Sequence, residues 1–237
     1  MIVFWRLFLS YFLTDFILGF RSADFWSPQN RNKRLAWQVG LFLVLAYGLC
    51  YGYLTMRWPL LELIHLPGWA VIPLIALFSA FSSRFFDFGG KIKYGYFLSF
   101  FLRTFVNLLF LFLCVPFYVL YETGNFFAEP WIIFTVGMVL TTRVLERCIF
   151  TIEQDRYGRD YPSFDEQWML MMARAIFFLI MLLPGWRWVV LLLVWLGACL
   201  YARRIRLLDV SRFAFYVGIG GAVFFGFLVR LRFYLIS

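Results

Sequence analysis

The chain has 237 residues, of which 63% are hydrophobic and only 15% are charged, and its formal net charge is +9. This balance excludes an ordinary soluble domain, in which about a quarter of the residues are charged, and it indicates an integral membrane protein. Because the basic residues stand in short clusters between apolar segments, we attribute the positive charge to membrane topology rather than to nucleic-acid binding.

Apolar stretches of membrane-spanning length recur along the chain. A helix that crosses the hydrocarbon core needs about 20 mostly apolar residues. With this length as a guide, we predict one integral membrane domain over residues 1–237, an all-α polytopic transmembrane helical bundle of about eight spans. Because the sixth and seventh spans are short and meet at PGWRW, they could instead form a re-entrant hairpin, and six or seven spans are the alternatives. The predicted spans are about 2–20, 35–56, 66–85, 96–120, 130–150, 168–184, 188–202 and 213–229.

The basic residues predict the orientation of these spans. Most loop Lys and Arg fall in the first, third, fifth and seventh connections, for example Arg34, Arg84 and Arg204. The even-numbered connections contain only Arg57 and Arg187. Since cytoplasmic loops are enriched in Lys and Arg, we expect the odd-numbered connections in the cytoplasm and both termini outside. The predicted location is a bacterial inner membrane, crossed several times.

Apart from Arg6 near the outer end of the first span and Arg84 at the end of the third, six charged residues interrupt the predicted spans, all of them in the cytoplasmic half. Three of them share one helix face in TTRVLERCIF, because they are spaced by three and four residues. Arginine pairs with carboxylates and phosphates and stays charged, so four arginines against two carboxylates predict a net positive site near the inner leaflet. The predicted intramembrane polar cluster or lipid site consists of Asp15, Arg103, Arg143, Glu146, Arg147 and Arg174.

Three interpretations of this polar cluster stay open. It could be a buried ion-pair network that fixes helix packing, with some arginines reaching toward the headgroups. It could bind an anionic lipid headgroup or a phosphate, as basic pockets at the cytoplasmic leaflet do. It could also be a proton or ion pathway, since ionisable groups inside a membrane often have such a role, although pumps usually carry more acids than arginines.

The other polar features favour packing rather than chemistry. GIGG in the last predicted span places Gly218, Gly220 and Gly221 where a second helix could approach closely. The four cysteines show no C-x-x-C spacing, and a single histidine, His65, cannot form a metal site without several partners. The common catalytic motifs are missing from the sequence. We therefore expect neither enzymatic activity nor a cofactor.

Three short motifs carry a resemblance to a known family. YFLTDF around Asp15, VLER around Glu146 and FDEQ before the sixth span resemble an uncharacterised family of bacterial polytopic membrane proteins, classed as a domain of unknown function. The family pattern has a His four residues before the Asp and further His residues after the later motifs. This chain has Tyr11 at the first position and no His at the others. The resemblance implies a diverged member that keeps Asp15 and Glu146 for structure or assembly, and it implies no established activity.

These observations favour a non-catalytic integral subunit or scaffold of a bacterial inner-membrane complex. The chain shows no catalytic set and no soluble domain, and its residues are 23% aromatic, which suits packing against other helices. The expected partners are other integral membrane proteins and membrane lipids, including anionic ones, and not nucleic acid. The alternative is a small transporter or anionic-lipid-handling protein that uses the polar cluster. A subunit should have that cluster dry and mutually paired, and a transporter should have it open to a cavity.

Overall fold

The computed structural model describes residues 2–18, 31–60, 64–87, 95–114, 129–158, 164–205 and 210–234. Within these ranges the chain forms eight continuous helical segments and one two-stranded sheet, which confirms the predicted all-α class. Two of the segments contain a π-helical turn: the first π turn, Leu13–Leu18, extends α1, and the second, Leu140–Val144, joins α5 to α6. The helices are α1 Ile2–Phe12, α2 Arg31–Leu49, α3 Gly68–Asp87, α4 Gly95–Leu113, α5 Pro130–Val139, α6 Leu145–Tyr157, α7 Phe164–Met181, α8 Arg187–Arg204 and α9 Arg212–Tyr234.

The helical segments overlap the predicted spans within the described residues, but α2 ends at Leu49, before the predicted end of the second span at residue 56, and a short 3-10 helix follows it. Residues 19–20 of the first predicted span and 115–120 of the fourth lie outside the described residues. The sixth and seventh predicted spans are two separate helices of 18 residues each, a length of about 27 Å. A short turn joins them, in which Gly185 adopts a left-handed conformation with φ 67°.

Three helices among the described residues are long and apolar enough to cross a membrane by length and composition, namely Gly68–Phe86, Gly95–Leu113 and Arg212–Tyr234. Leu35–Leu49 and Trp168–Met181 are shorter apolar helices. These helices indicate association with a membrane. They are fewer than the eight predicted spans, because charges near the helix ends or a π turn shorten the apolar runs of the others.

A small β-hairpin follows α2 and differs from the purely helical prediction. Strands β1, Arg57–Leu60, and β2, Ile64–Pro67, pair antiparallel in the predicted second connection. The Trp58 side chain of β1 is fully buried. It lies against Gly68, where an added Cβ would come within 2.7 Å of the indole ring. The glycine at the start of α3 therefore makes room for the tryptophan that anchors the hairpin.

The chain divides into an N-terminal unit, Met1–Ile133, and a C-terminal unit, Phe134–Ser237. The core of the N-terminal unit includes the stacked rings of Phe12 and Phe16, with centroids 5.1 Å apart. The core of the C-terminal unit includes Phe177 of α7 and Phe215 of α9. Each unit thus has its own apolar core, and the single membrane domain over the whole chain stays a prediction.

Candidate functional site

Asp15 faces an arginine. It lies in the first π turn, and its Oδ2 is 2.7 Å from Nη2 of Arg103, which α4 supplies. Each of the two side chains is only 9% exposed. Gln38 of α2 lies on the other side and donates a hydrogen bond from Nε2 to Oδ1 of Asp15 at 3.5 Å. The carboxylate therefore joins three elements of the N-terminal unit.

A second polar link runs parallel to this ion pair. Asn107, four residues after Arg103 on α4, donates to the hydroxyl of Tyr11 at 3.2 Å, and Tyr11 stands four residues before Asp15. Asn107 also accepts a hydrogen bond of 2.5 Å from Ser82 of α3. Tyr11 and Asp15 are four residues apart, and so are their partners Asn107 and Arg103. Side chains four residues apart lie on the same helix face, so the two contacts join one face of the α1 segment to one face of α4.

The space beside Asp15 is small. A cavity of about 20 Å³ is lined by apolar side chains and by the polar residues Tyr11, Thr14, Asp15, Gln38, Ser79 and Ser83. A buried water needs about 10–15 Å³ by the same measure, so the cavity has room for about one water molecule. The space beside the ion pair is therefore about the size of one water molecule, which is much smaller than a site for a solute.

Hydroxyl groups support both π turns. A π turn leaves carbonyls that the regular helix would pair, and threonine side chains can bond back to a carbonyl four residues earlier. Thr14 bonds to the carbonyl of Ser10 at 2.8 Å in the first π turn. At the second π turn, Thr141 and Thr142 bond to the carbonyls four residues before them, at 2.7 and 2.6 Å. Because π turns often occur at functional sites, the charged residue in each turn, Asp15 or Arg143, is a candidate functional residue.

The other four predicted residues form a group in the C-terminal unit. Nη1 of Arg143 lies 3.5 Å from Oε2 of Glu146, one helical turn later. The guanidinium groups of Arg174, Arg143 and Arg147 all act electrostatically on the Glu146 carboxylate. Glu146, Arg147 and Arg174 are buried, and Nη1 of Arg174 donates to the carbonyl of Thr142 at 3.4 Å. The six predicted residues thus form two groups, one in each unit.

A stripe of small residues on α9 packs against α7. Ala214, Gly218, Ala222 and Gly226 follow one another at intervals of four, and all four are buried. A Cβ added at Gly218 would lie 2.8 Å from Nε of Arg174, and one added at Gly226 would lie 2.7 Å from Cβ of Met181. Small side chains let two helices approach closely, so this stripe sets the distance between α7 and α9.

The three glycines predicted for helix packing differ in their surroundings. Gly218 belongs to the small-residue stripe, and a Cβ added at Gly221 would lie 2.5 Å from the Leu145 side chain. Gly220 is exposed and has no neighbour within 4 Å among the described residues. Within the described chain Gly220 therefore does not pack against a helix, because it points away from the face that meets α7, and its packing against another subunit stays a prediction. Gly226 and Gly137, which the sequence analysis missed, are closely packed instead.

An arginine near the N-terminus ties together three predicted outer ends. Arg6 of α1 donates from Nη2 to Glu129 and from Nη1 to the Leu49 carbonyl, both at 2.7 Å. Its guanidinium also lies 5.2 Å from the centroid of the Tyr53 ring. The hydrogen bond from Arg6 is the main reason why the pKa of Glu129 is lower than that of an ordinary carboxyl group, and a hydrogen bond from Trp131 adds to the effect.

Among the described residues, no three His, Cys, Asp or Glu side chains come together as metal ligands. The charged groups present are arginines with carboxylates, an arrangement that can pair helices or hold an anion. Against known family models, curated proteins and solved structures, the chain shows no match.

Proposed function

We propose that this chain is a non-catalytic integral subunit or scaffold of a bacterial inner-membrane complex, crossing the membrane several times with both termini outside. The observation that carries the proposal is the closed ion pair of Asp15 and Arg103. Its atoms are 2.7 Å apart, both side chains are 9% exposed, and the adjoining cavity has room for about one water. A charged pair in this setting serves helix packing.

The energetics of buried charges support this role. An unpaired ionised group inside a membrane costs several kcal/mol, and a close partner removes most of that cost. A buried ion pair contributes little net stability compared with apolar packing, but removing one partner is costly. The pair of Asp15 and Arg103 therefore makes the docking of the α1 segment on α4 specific, because a displaced or rotated helix would leave both charges unpaired.

The contacts of Arg6 support the proposed topology. In the predicted orientation, Arg6, Leu49 and Glu129 belong to the outer ends of the first, second and fifth helices. The structure joins all three through one guanidinium group. The predicted topology assigns these three helix ends to the same side of the membrane. Their contact with one another agrees with that assignment.

The apolar surface supports a location among lipids and other helices. Helix α8 exposes large side chains over much of its circumference, including Val190, Leu193, Val194 and Tyr201. Such a surface needs apolar surroundings, which both acyl chains and the helices of other subunits supply. We therefore propose other integral membrane proteins and membrane lipids as the partners of this chain.

The resemblance to the uncharacterised membrane-protein family fits this proposal. In that family pattern the position of Tyr11 is a histidine. Here Tyr11 accepts a hydrogen bond from Asn107, while Asp15 pairs with Arg103. We propose that the chain is a diverged member in which these positions serve assembly.

The arginine group of the C-terminal unit favours a second candidate, a small transporter or anionic-lipid-handling protein. Three arginines act electrostatically on the carboxylate of Glu146, and arginine is suited to bind phosphate as well as carboxylate. This candidate requires that a solute or lipid reaches the group from the membrane or the cytoplasm.

Co-purification separates the two candidates. The tagged full chain is expressed at its native level, extracted in a mild detergent, and analysed by quantitative mass spectrometry for proteins and lipids. The proposal predicts membrane proteins at a fixed ratio to the chain, with a lower yield of the complex for Asp15→Asn than for the exposed control Arg84→Gln. A chain that purifies alone with one bound solute or lipid would contradict it and favour the second candidate.

A further inference from the structure

A basic concavity opens between the end of α8 and the start of α9. It has a volume of about 460 Å³ and is lined by Arg203, Arg204, Arg212, Leu200 and Tyr216. Pockets that bind small molecules have volumes of about 300–1,000 Å³. Three positive charges therefore line a depression large enough for a phosphorylated headgroup.

The guanidinium of Arg203 contacts two aromatic rings. Its Cζ lies 4.9 Å from the centroid of Phe215 and 5.4 Å from that of Tyr216. Phe215 is buried and Tyr216 is exposed, so the group is anchored on the protein side and open on the other. Contact with an aromatic ring does not require the N–H groups of a guanidinium as hydrogen-bond donors, so they can bind an anion.

The three arginines have unused donors. Among the described residues, no hydrogen bond or ion pair involves the side chains of Arg203, Arg204 or Arg212. The nearby carboxylate of Glu153 accepts a hydrogen bond from Ser211, and the same hydroxyl accepts from the Ala214 amide to cap α9. Guanidinium groups that line one concavity without a carboxylate among its described lining residues are suited to an anion with several oxygens.

Helix electrostatics account for only part of this arrangement. Arginines in the last turn of a helix offset the negative end of its dipole, which is sufficient to explain Arg203 and Arg204 at the end of α8. It does not explain Arg212, which comes from the first turn of α9, where a positive side chain is unfavourable. The enrichment of basic residues in cytoplasmic loops accounts for Arg212 on this side of the membrane, but not for its position beside Arg203 and Arg204.

We propose that Arg203, Arg204 and Arg212 bind the phosphate of an anionic phospholipid headgroup. Tyr216 would then lie beside the part of the acyl chains nearest the headgroup. The predicted orientation places this seventh connection at the cytoplasmic leaflet, where anionic lipids attract basic residues. The shared chemistry is a phosphate anion, whether it belongs to a lipid or is free in the cytoplasm. The placement at the cytoplasmic leaflet rests on the proposed topology, whereas the inference does not depend on the proposed subunit role.

Native mass spectrometry of the full chain in detergent tests the proposal, with phosphatidylglycerol as the probe and phosphatidylcholine as the neutral comparison. The test variant carries Arg203→Gln, Arg204→Gln and Arg212→Gln. The matched control carries Lys33→Gln, Arg84→Gln and Arg156→Gln, which removes the same charge from three exposed positions.

We expect the test variant to bind the first phosphatidylglycerol about tenfold more weakly or worse, because charge-assisted hydrogen bonds are lost, while the control binds as the unmodified chain does. Equal affinity in the test variant and the control would overturn the proposal. If the test variant does not fold, Arg212→Gln is compared with Arg84→Gln. We then expect the affinity of Arg212→Gln for the first phosphatidylglycerol to fall about threefold, and equal affinities would again overturn the proposal.

Two further arms identify the source and the geometry. Inorganic phosphate at millimolar concentration displaces the lipid if the site binds free phosphate, and leaves it bound if the lipid headgroup is the ligand. Arg203→Lys keeps the charge but loses the planar fork of donors, so we expect an intermediate affinity. Full affinity in Arg203→Lys would contradict hydrogen bonding by this guanidinium and reduce the site to a nonspecific positive patch.

Discussion

Replacing Asp15 by asparagine removes the negative charge of the buried pair while its shape is kept. The carboxylate and the Arg103 guanidinium are joined by a 2.7 Å contact and are 9% exposed each. Charge centres about 4 Å apart attract by about 4 kcal/mol at an effective dielectric constant of about 20. Measured losses on breaking a buried pair from one side are of similar size, about 3–5 kcal/mol. We therefore expect Asp15→Asn and Arg103→Met each to lower the free energy of unfolding by about 3–5 kcal/mol.

A double-mutant cycle tests the assignment. Because the double variant Asp15→Asn with Arg103→Met contains neither charge, it should lose much less than the sum of the two single losses. Thermal unfolding in mild detergent measures the effect: about 3–5 kcal/mol corresponds to a fall in Tm of roughly 6–20 °C for a chain of this size. The exposed control Arg84→Gln should change stability by less than about 0.5 kcal/mol. Additive single losses would refute the pairing.

Three further substitutions test other contacts by the same unfolding assay. Gly226→Ala should lower the free energy of unfolding by about 1–3 kcal/mol because the added methyl group overpacks the interface. Gly220→Ala, with open space around it among the described residues, should raise the free energy of unfolding by up to about 1 kcal/mol. Equal effects of the two substitutions would argue against the small-residue stripe. Glu129→Gln should lose at most about 1 kcal/mol at neutral pH. Because the pKa of Glu129 is lowered in the folded chain, this difference should vanish as the pH falls from the ordinary carboxyl pKa through the lower folded pKa, and a pH-independent difference would contradict the contact with Arg6. Asn107→Leu should lose about 1–3 kcal/mol by leaving its two partners unsatisfied, and an unchanged Tm would contradict the second polar link.

The helices were predictable because apolar runs of about 20 residues are a local property of the sequence. A carboxylate such as Asp15 in an apolar run also predicts that the folded chain supplies a partner for it. Which arginine fulfils that need was not predictable, since it depends on which helices are neighbours. Asn107 stands four residues from Arg103 and could have been found from that spacing.

Other features depend on tertiary packing and escaped prediction for that reason. The β-hairpin exists because Trp58 is buried against Gly68, a contact between residues ten positions apart that no hydrophobic period reveals. The GIGG motif identified a glycine-rich turn of α9 but not the side of the helix that meets α7. The spacing of four from Ala214 to Gly226 marks that side, and it excludes Gly220.

The mass of the particle that contains this chain in native membranes tests the central claim most directly. Membranes are solubilised directly into lipid nanodiscs, and the tagged particle is weighed by native mass spectrometry with its protein components identified. If the chain is a subunit, we expect one dominant particle that contains other membrane proteins at a fixed ratio. Its mass should be far greater than the 28.2 kDa of a single chain. A dominant particle that contains this chain as its sole protein would contradict the account.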